Sequence, residues 1–360
     1  MKTLWALIPL CAACLIWAPP ARAADETRIT WYGNFKLDLA RDSGVSSNGN
    51  FILYAKPGST ATLNLTARQT RLGANVERGA MKGKVEFDFY GESPENKNTL
   101  MLRHAYVTVP VGPLQLEAGQ GSDLISPLVP STLNYSVAWG AGNIGYRRPQ
   151  VKLYQQSRRF YWGVAAARNI SGDLDGDKLV DGESSGKPAL QSRLGVSGSP
   201  AGRKLSLGAA AHYGWCSCAT DGRNYNNWSL SGDLKLALTQ RLALLAEGYT
   251  GSNLGQYAGA IYNTDRVEGL RSSGGWLNAQ YQLAVLSFSA GGGRDQVRKR
   301  DLSAVAQARA ANTFVFANAQ YELLPGYRLG LEVSRWKTDY LNPEATARDT
   351  RLQWSIQGSF

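Results

Sequence analysis

The sequence is poor in histidine and cysteine, with two His and four Cys in 360 residues. Neither His104 nor His212 sits in a Ser/His/acid pattern, a nucleophile elbow or a zinc motif, which makes a hydrolase the weaker reading. Long apolar runs are also missing. After the first 23 residues no segment approaches the 18 or more consecutive apolar residues of a membrane helix, and helical periodicity is weak. A helical membrane protein is thereby excluded. The opening stretch is different: a basic start at Lys2, an apolar run from Leu4 to Ala18, and a small-residue exit at Ala21-Arg22-Ala23. This predicts a cleaved secretory signal peptide over 1–23, followed by a single domain over 24–360. Cleavage removes Lys2 and Arg22, lowering the formal charge from +11 to +9, and removes Cys11 and Cys14, leaving Cys216 and Cys218.

What is present is glycine (39 residues), aromatic side chains (10%) and short runs of alternating polarity, because successive side chains of a strand face opposite ways. The alternation predicts sixteen strands near 28–40, 62–77, 81–91, 99–109, 113–120, 143–154, 158–168, 189–199, 203–215, 225–237, 240–251, 272–283, 285–296, 312–323, 326–338 and 347–360. The connections alternate between short, as at 78–80, 111–112, 201–202 and 324–326, and long, as at 41–61, 92–98, 121–142, 169–188, 216–224, 252–271, 297–311 and 339–346. An all-β transmembrane antiparallel barrel in a Gram-negative outer membrane has this arrangement. The rival, a soluble β-sandwich, puts its polar face in water, whereas runs such as Lys84, Glu86 and Asp88 suit a wet lumen. In the last segment, RLQWSIQGSF, Leu352, Trp354, Ile356 and Phe360 share one face, so this strand can pair with the first and leave no open edge in lipid. Phe360 also resembles the terminal signal read by the barrel-assembly machinery. Lipid is an expected partner; nucleic acid is not.

Five strings carry a more specific likeness: RQTRLG (68–73), GKVEFDFYG (83–91), LRHAYV (102–107), LISPLVPSTLNY (124–135) and GYRRPQVKLY (145–154). Together they resemble the DcaP-like porins, densest over 64–154. The resemblance implies a sixteen-stranded homotrimer associated with uptake of dicarboxylates and other small anions. The alternatives are a non-selective sieve, a barrel hydrolase or an adhesin.

A barrel of this size leaves an aqueous channel unless something narrows it. The third long loop, 121–142, folds inward in sixteen-stranded porins. Its Ser126, Pro127 and Pro130 and its apolar content predict a constriction packed on the inner wall. Opposite it, strand parity sends Arg71, Arg148, Arg193 and Lys152 inward, and Arg103, Arg147 and Asp123 are further candidates for lining the pore. Guanidinium groups bind carboxylates bidentately, so a ring of them favours anions; the bland alternative pairs each with a wall carboxylate such as Glu86, Asp88, Glu117 or Glu332. No cofactor is expected, apart from calcium at Asp173, Asp175, Asp177 and Asp181 in the 173–183 loop. Cys216 and Cys218 are expected to form a local disulfide, with a soft-metal site shared with His212 as the alternative.

Overall fold

The computed structural model describes residues 26–91, 98–303 and 305–360. The expected signal peptide at 1–23 lies outside them, as does most of the connection expected at 92–98. The strands are β1 (Thr27–Asp42), β2 in two segments (Thr62–Thr66 and Arg71–Arg78), β3 (Met81–Asp88), β4 (Met101–Val111), β5 (Leu114–Ser122), β6 (Arg147–Gln156), β7 (Phe160–Ala167) and β8 (Ala189–Gly198). They continue as β9 (Leu205–Ser217), β10 (Asn224–Ala237), β11 (Leu242–Ser252), β12 (Arg271–Leu283), β13 (Leu286–Val297), β14 (Ala308–Leu324), β15 (Tyr327–Leu341) and β16 (Ala345–Ser359). Each pairs antiparallel with its neighbour in sequence. β1 pairs with β16 from Asn34 opposite Ser359 to Asp42 opposite Arg351, closing a sixteen-stranded barrel. At the seam the Phe360 and Gly33 backbones exchange two hydrogen bonds of 3.1 Å, and the Phe35 and Phe360 rings lie 5.6 Å apart.

Side-chain alternation explains the cylinder. Trp31, Phe35, Leu63, Leu65, Leu194, Val315 and Trp354 are exposed on its outside, while Lys36, Asp38, Glu86, Asn278, Asn318 and Glu332 are buried inside it. This inversion of the soluble pattern suits a lipid-facing exterior around a polar interior. Two irregularities change which residues point inward. Asn34 to Asp38 on β1 spans four steps where Arg71 back to Thr66 on β2 spans five, so one extra residue switches the parity within β2. On β4 a register shift at Glu86/Phe87 leaves Arg103 as the extra residue between Leu102 and His104. The eighth long connection, expected at 339–346, shrinks to 342–344 because the β15–β16 ladder continues to Tyr340 opposite Ala345.

The apolar core sits in the long-loop mouth of the barrel. Ile125 and Ile144 of the 123–146 loop pack with Leu254, Tyr257 and Ile261 of the 253–270 loop, and Ile52 of the 43–61 loop packs with Phe314 and Trp336 on the wall. Full burial of a Leu or Ile side chain contributes about 1.5–3 kcal/mol, so these clusters hold the loops inside the barrel.

Candidate functional site

The 123–146 loop crosses the lumen and is fastened along one half of the wall. The Leu124 N–H donates to Gln191 on β8 (2.7 Å) and Ser231 on β10 donates to the Ile125 carbonyl (2.5 Å). On β11, Glu247 accepts from the Ser126 hydroxyl and from the Leu128 N–H. Asn278 on β12 accepts from the Ser131 N–H at 2.8 Å, and Glu332 on β15 from the Leu133 N–H at 2.6 Å. The Leu133 carbonyl then accepts from Gln353 on β16 and Lys36 on β1. Every one of these wall partners is an inward polar residue that would otherwise be short of partners under the loop. Gly142 shows how close the approach is: its φ is +116°, and a Cβ there would stand 2.2 Å from the Gly275 carbonyl oxygen. Within the loop Pro130 is buried, whereas Pro127 is exposed.

None of the bonds that fasten residues 124–133 of the loop reaches the wall from β2 to β5, and there Glu86 gathers three cations: Arg103 at 2.7 Å and Arg71 and Lys84 at 3.5 Å each. Tyr32 also donates to Glu86, at 2.8 Å. Asp88 accepts from Arg103 at 2.5 Å and from Tyr135 of the loop at 3.1 Å, joining the loop to this wall. On the long-loop side of this contact lies a cavity of about 480 Å³ lined by Phe51, Arg68, Tyr90, Tyr135, Trp139 and Tyr262. On the short-turn side, a space of about 540 Å³ is lined by Lys82, Lys84, Tyr106, Glu117 and Tyr154. Arg71 and Lys84 keep 30% and 28% of their side-chain surface exposed, while Arg103 keeps 9%.

The other expected wall cations are placed differently. Arg148 is wholly buried, 2.7 Å from Asp123 and stacked 3.9 Å over the Tyr257 ring, so it anchors the base of the loop and does not line the lumen. Asp123 is buried with it and also accepts from Gln191 and the Tyr146 N–H. Arg193 grips Asp233 on β10 through two bonds of 2.6 and 3.0 Å, and Lys152 meets Glu117 at 2.8 Å. Arg147 stacks 4.4 Å over Tyr146, with Nε and Nη2 buried and without hydrogen-bond partners. Sequence parity identified the face of most of these residues but not Asp233 as a partner, nor Tyr135 as the loop's contact with the wall. It also missed the inward folding of the 43–61 and 253–270 loops, whose signal was their apolar strings FILYA and LGQYAGAIY.

In the 168–188 loop, Asp173, Asp175 and Asp177 bring one carboxylate oxygen each within 4.8 Å of one another, whereas Asp181 groups with Asp175 and Cys218. Backbone N–H groups of Gly176 and Lys178 already occupy Asp173. The expected disulfide is not formed: Cys216 and Cys218 are separate buried thiols. Cys216 accepts from Asn227 (3.4 Å) and Cys218 donates to Asp181 (3.5 Å), so each thiol is drawn to its own partner. His212 is not shared with them. It sits between Ser229 Oγ (2.7 Å) and Asn227 Oδ1 (3.1 Å), a serine–histidine–amide chain that the sequence did not reveal. Tyr257 stacks on its ring at 4.2 Å and Ser229 is 1% exposed, so the hydroxyl is sealed.

The model of the DcaP outer membrane protein family matches residues 18–196. No curated protein matches the chain. Among solved structures, the outer membrane channel DcaP of Acinetobacter baumannii superposes with a TM-score of 0.79 at 20% identity, over 93% of this chain and 97% of that one. An anion-selective porin from Comamonas acidovorans gives 0.61 at 13% identity, over 93% and 100%. The trimer form of OmpT from Vibrio cholerae gives 0.56 at 11%, over 93% and 100%. With the family model on its amino-terminal part and the sixteen-stranded barrel along its length, the chain is a DcaP-like outer-membrane porin.

Proposed function

We propose that the protein is an anion-preferring diffusion channel for small carboxylates, and that solutes pass along the β2–β5 wall beside Arg71 and Lys84. One observation carries this reading: the uneven charge at the loop–wall contact. Arg71, Lys84 and Arg103 surround Glu86 and Asp88, and Arg147 stands beside them on Tyr146, so four cations meet two carboxylates. Elsewhere on the inner wall Arg148, Arg193 and Lys152 are each matched by one acid and add no net charge. Arg71 and Lys84 are 3.5 Å from Glu86 with their heads partly exposed, which leaves them able to meet a passing carboxylate. Conduction requires such binding to be weak. The chain is delivered by a signal peptide at 1–23 and assembles as a homotrimer; the trimer form of OmpT among its structural neighbours supports that assembly.

The test is the reversal potential of reconstituted channels in a salt gradient. Replacing Arg71, Lys84 and Arg147 by glutamine should move it toward cations and weaken current block by a dicarboxylate. The double replacement Arg193→Gln with Asp233→Asn, which removes a neutral pair, should leave it where it was. A non-selective sieve would change conductance in the triple variant without moving its reversal potential, and that result would defeat the proposal.

A further inference from the structure

Away from the channel, the 168–188 loop meets the turn at 218–223 over an unbalanced group of acids. Asp181 is wholly buried, and no ion pair of Asp175 or Asp181 occurs among the described residues. Asp181 Oδ2 accepts from the Tyr225 hydroxyl at 2.7 Å and from the Leu174 N–H at 3.3 Å, but Oδ1 is buried without any hydrogen-bond partner. A buried carboxylate oxygen left in this state costs free energy unless a cation or proton meets it. One candidate atom each of Asp175, Asp181 and Cys218 lies within 4.8 Å of the other two. The Cys218 thiol donates to Asp181 across 3.5 Å. In a tetrahedral zinc site with metal–oxygen and metal–sulfur bonds of about 2.0 and 2.3 Å, the oxygen–sulfur edge is also about 3.5 Å.

We propose that Asp175, Asp181 and Cys218 bind one divalent metal ion of borderline softness, with zinc as the model, clasping the 168–188 loop to the 218–223 turn. The mixed oxygen and sulfur donor set separates this site from the calcium site expected at the neighbouring aspartates, because calcium takes six to eight oxygen ligands. Binding replaces the proton between Cys218 and Asp181 and releases it to solvent, with water completing the tetrahedron. Parts of a supporting shell are already in place: Tyr225 orients Asp181, the Thr220 N–H donates to Asp175 Oδ2 at 2.8 Å, and Leu174 and Val267 pack against the thiol cluster.

The experiment uses the full mature protein in detergent, treated with chelator and carrying Cys216→Ser so that a single thiol reports. Titration with cobalt(II) should bind one equivalent and produce a thiolate-to-cobalt charge-transfer band, which zinc then displaces. Saturating zinc should slow alkylation of Cys218 by about tenfold or more, since a metal-bound thiolate is a poor nucleophile. Both signals should vanish in Asp181→Asn, and the band in Cys218→Ser, with heat-modifiable gel migration verifying that each variant keeps its barrel. If either variant fails that check, zinc protection in the Cys216→Ser protein decides alone. Absence of the cobalt band together with unchanged alkylation under zinc overturns the proposal. So does binding of calcium that protects equally well and survives Cys218→Ser, which would make this an all-carboxylate site.

Discussion

Asp123→Asn is expected to undock the constriction loop while leaving the barrel intact. The substitution removes the only carboxylate beside Arg148 among the described residues, and Arg148 has no exposed surface. A guanidinium cannot escape by losing its proton, so it is left as an uncompensated buried charge. Breaking a buried pair in this way costs about 3–5 kcal/mol. The same carboxylate also accepts from the Tyr146 N–H at 2.9 Å and from Gln191 at 2.6 Å through different oxygens, and the single amide oxygen of asparagine can keep only one of these contacts. Native-state hydrogen exchange reads the loss directly, because Leu124, Leu128, Ser131 and Leu133 all donate from the loop to the wall. At about 1.4 kcal/mol per tenfold, their exchange should quicken by roughly 10²- to 10⁴-fold, with strand amides unchanged. The double variant with Arg148→Gln should recover part of the loss, since both charges are then gone. If Asp123→Asn moves loop exchange less than about fivefold, or the two single costs simply add, the pair is not the anchor described here.

Removing Phe360 should slow formation of the heat-resistant barrel, because the residue supplies both seam hydrogen bonds to Gly33 and the ring packed on Phe35; folding at the native rate on heat-modifiable gels would count against it. Asp265, in the 253–270 loop, is pushed up to about 7 by burial while its carboxylate accepts from the Gly172 N–H across the loop contact. A raised carboxylate pKa means that its stabilising share is fully present below the ordinary acid range and is lost as pH climbs through about 7. Proteolysis of the 168–188 and 253–270 loops in metal-free protein should therefore accelerate over that window, and Asp265→Asn should flatten the profile; an unchanged profile would reject the assignment.

The strands were legible because alternation is a local property, and one wet and one greasy face leave little freedom of register. The inward fold of the third loop was legible from its place in the loop order. Its partners were not: parity sends Arg148 and Arg71 to the same side of the wall, but only the folded loop decides that Arg148 is sealed under Tyr257 while Arg71 stays partly open. Arg103 was ambiguous for a physical reason, since it is the extra residue of a bulge and obeys neither parity. The 253–270 loop was read only as a connection, although Leu254, Tyr257 and Ile261 have almost no exposed surface. Its burial depends on side chains of β13 and the third loop, which no local pattern reports.

The central claim is that solutes pass the wall at the partly exposed Arg71 and feel its charge. The direct measurement places a cysteine there, Arg71→Cys with Cys216→Ser and Cys218→Ser, and records single-channel reversal potentials before and after attaching thiosulfonate reagents of opposite charge. An anionic adduct should drive the reversal potential toward cations, a cationic adduct should restore the preference for anions, and both should lower conductance. Equal reversal potentials with the two adducts, despite complete labelling, would contradict the account.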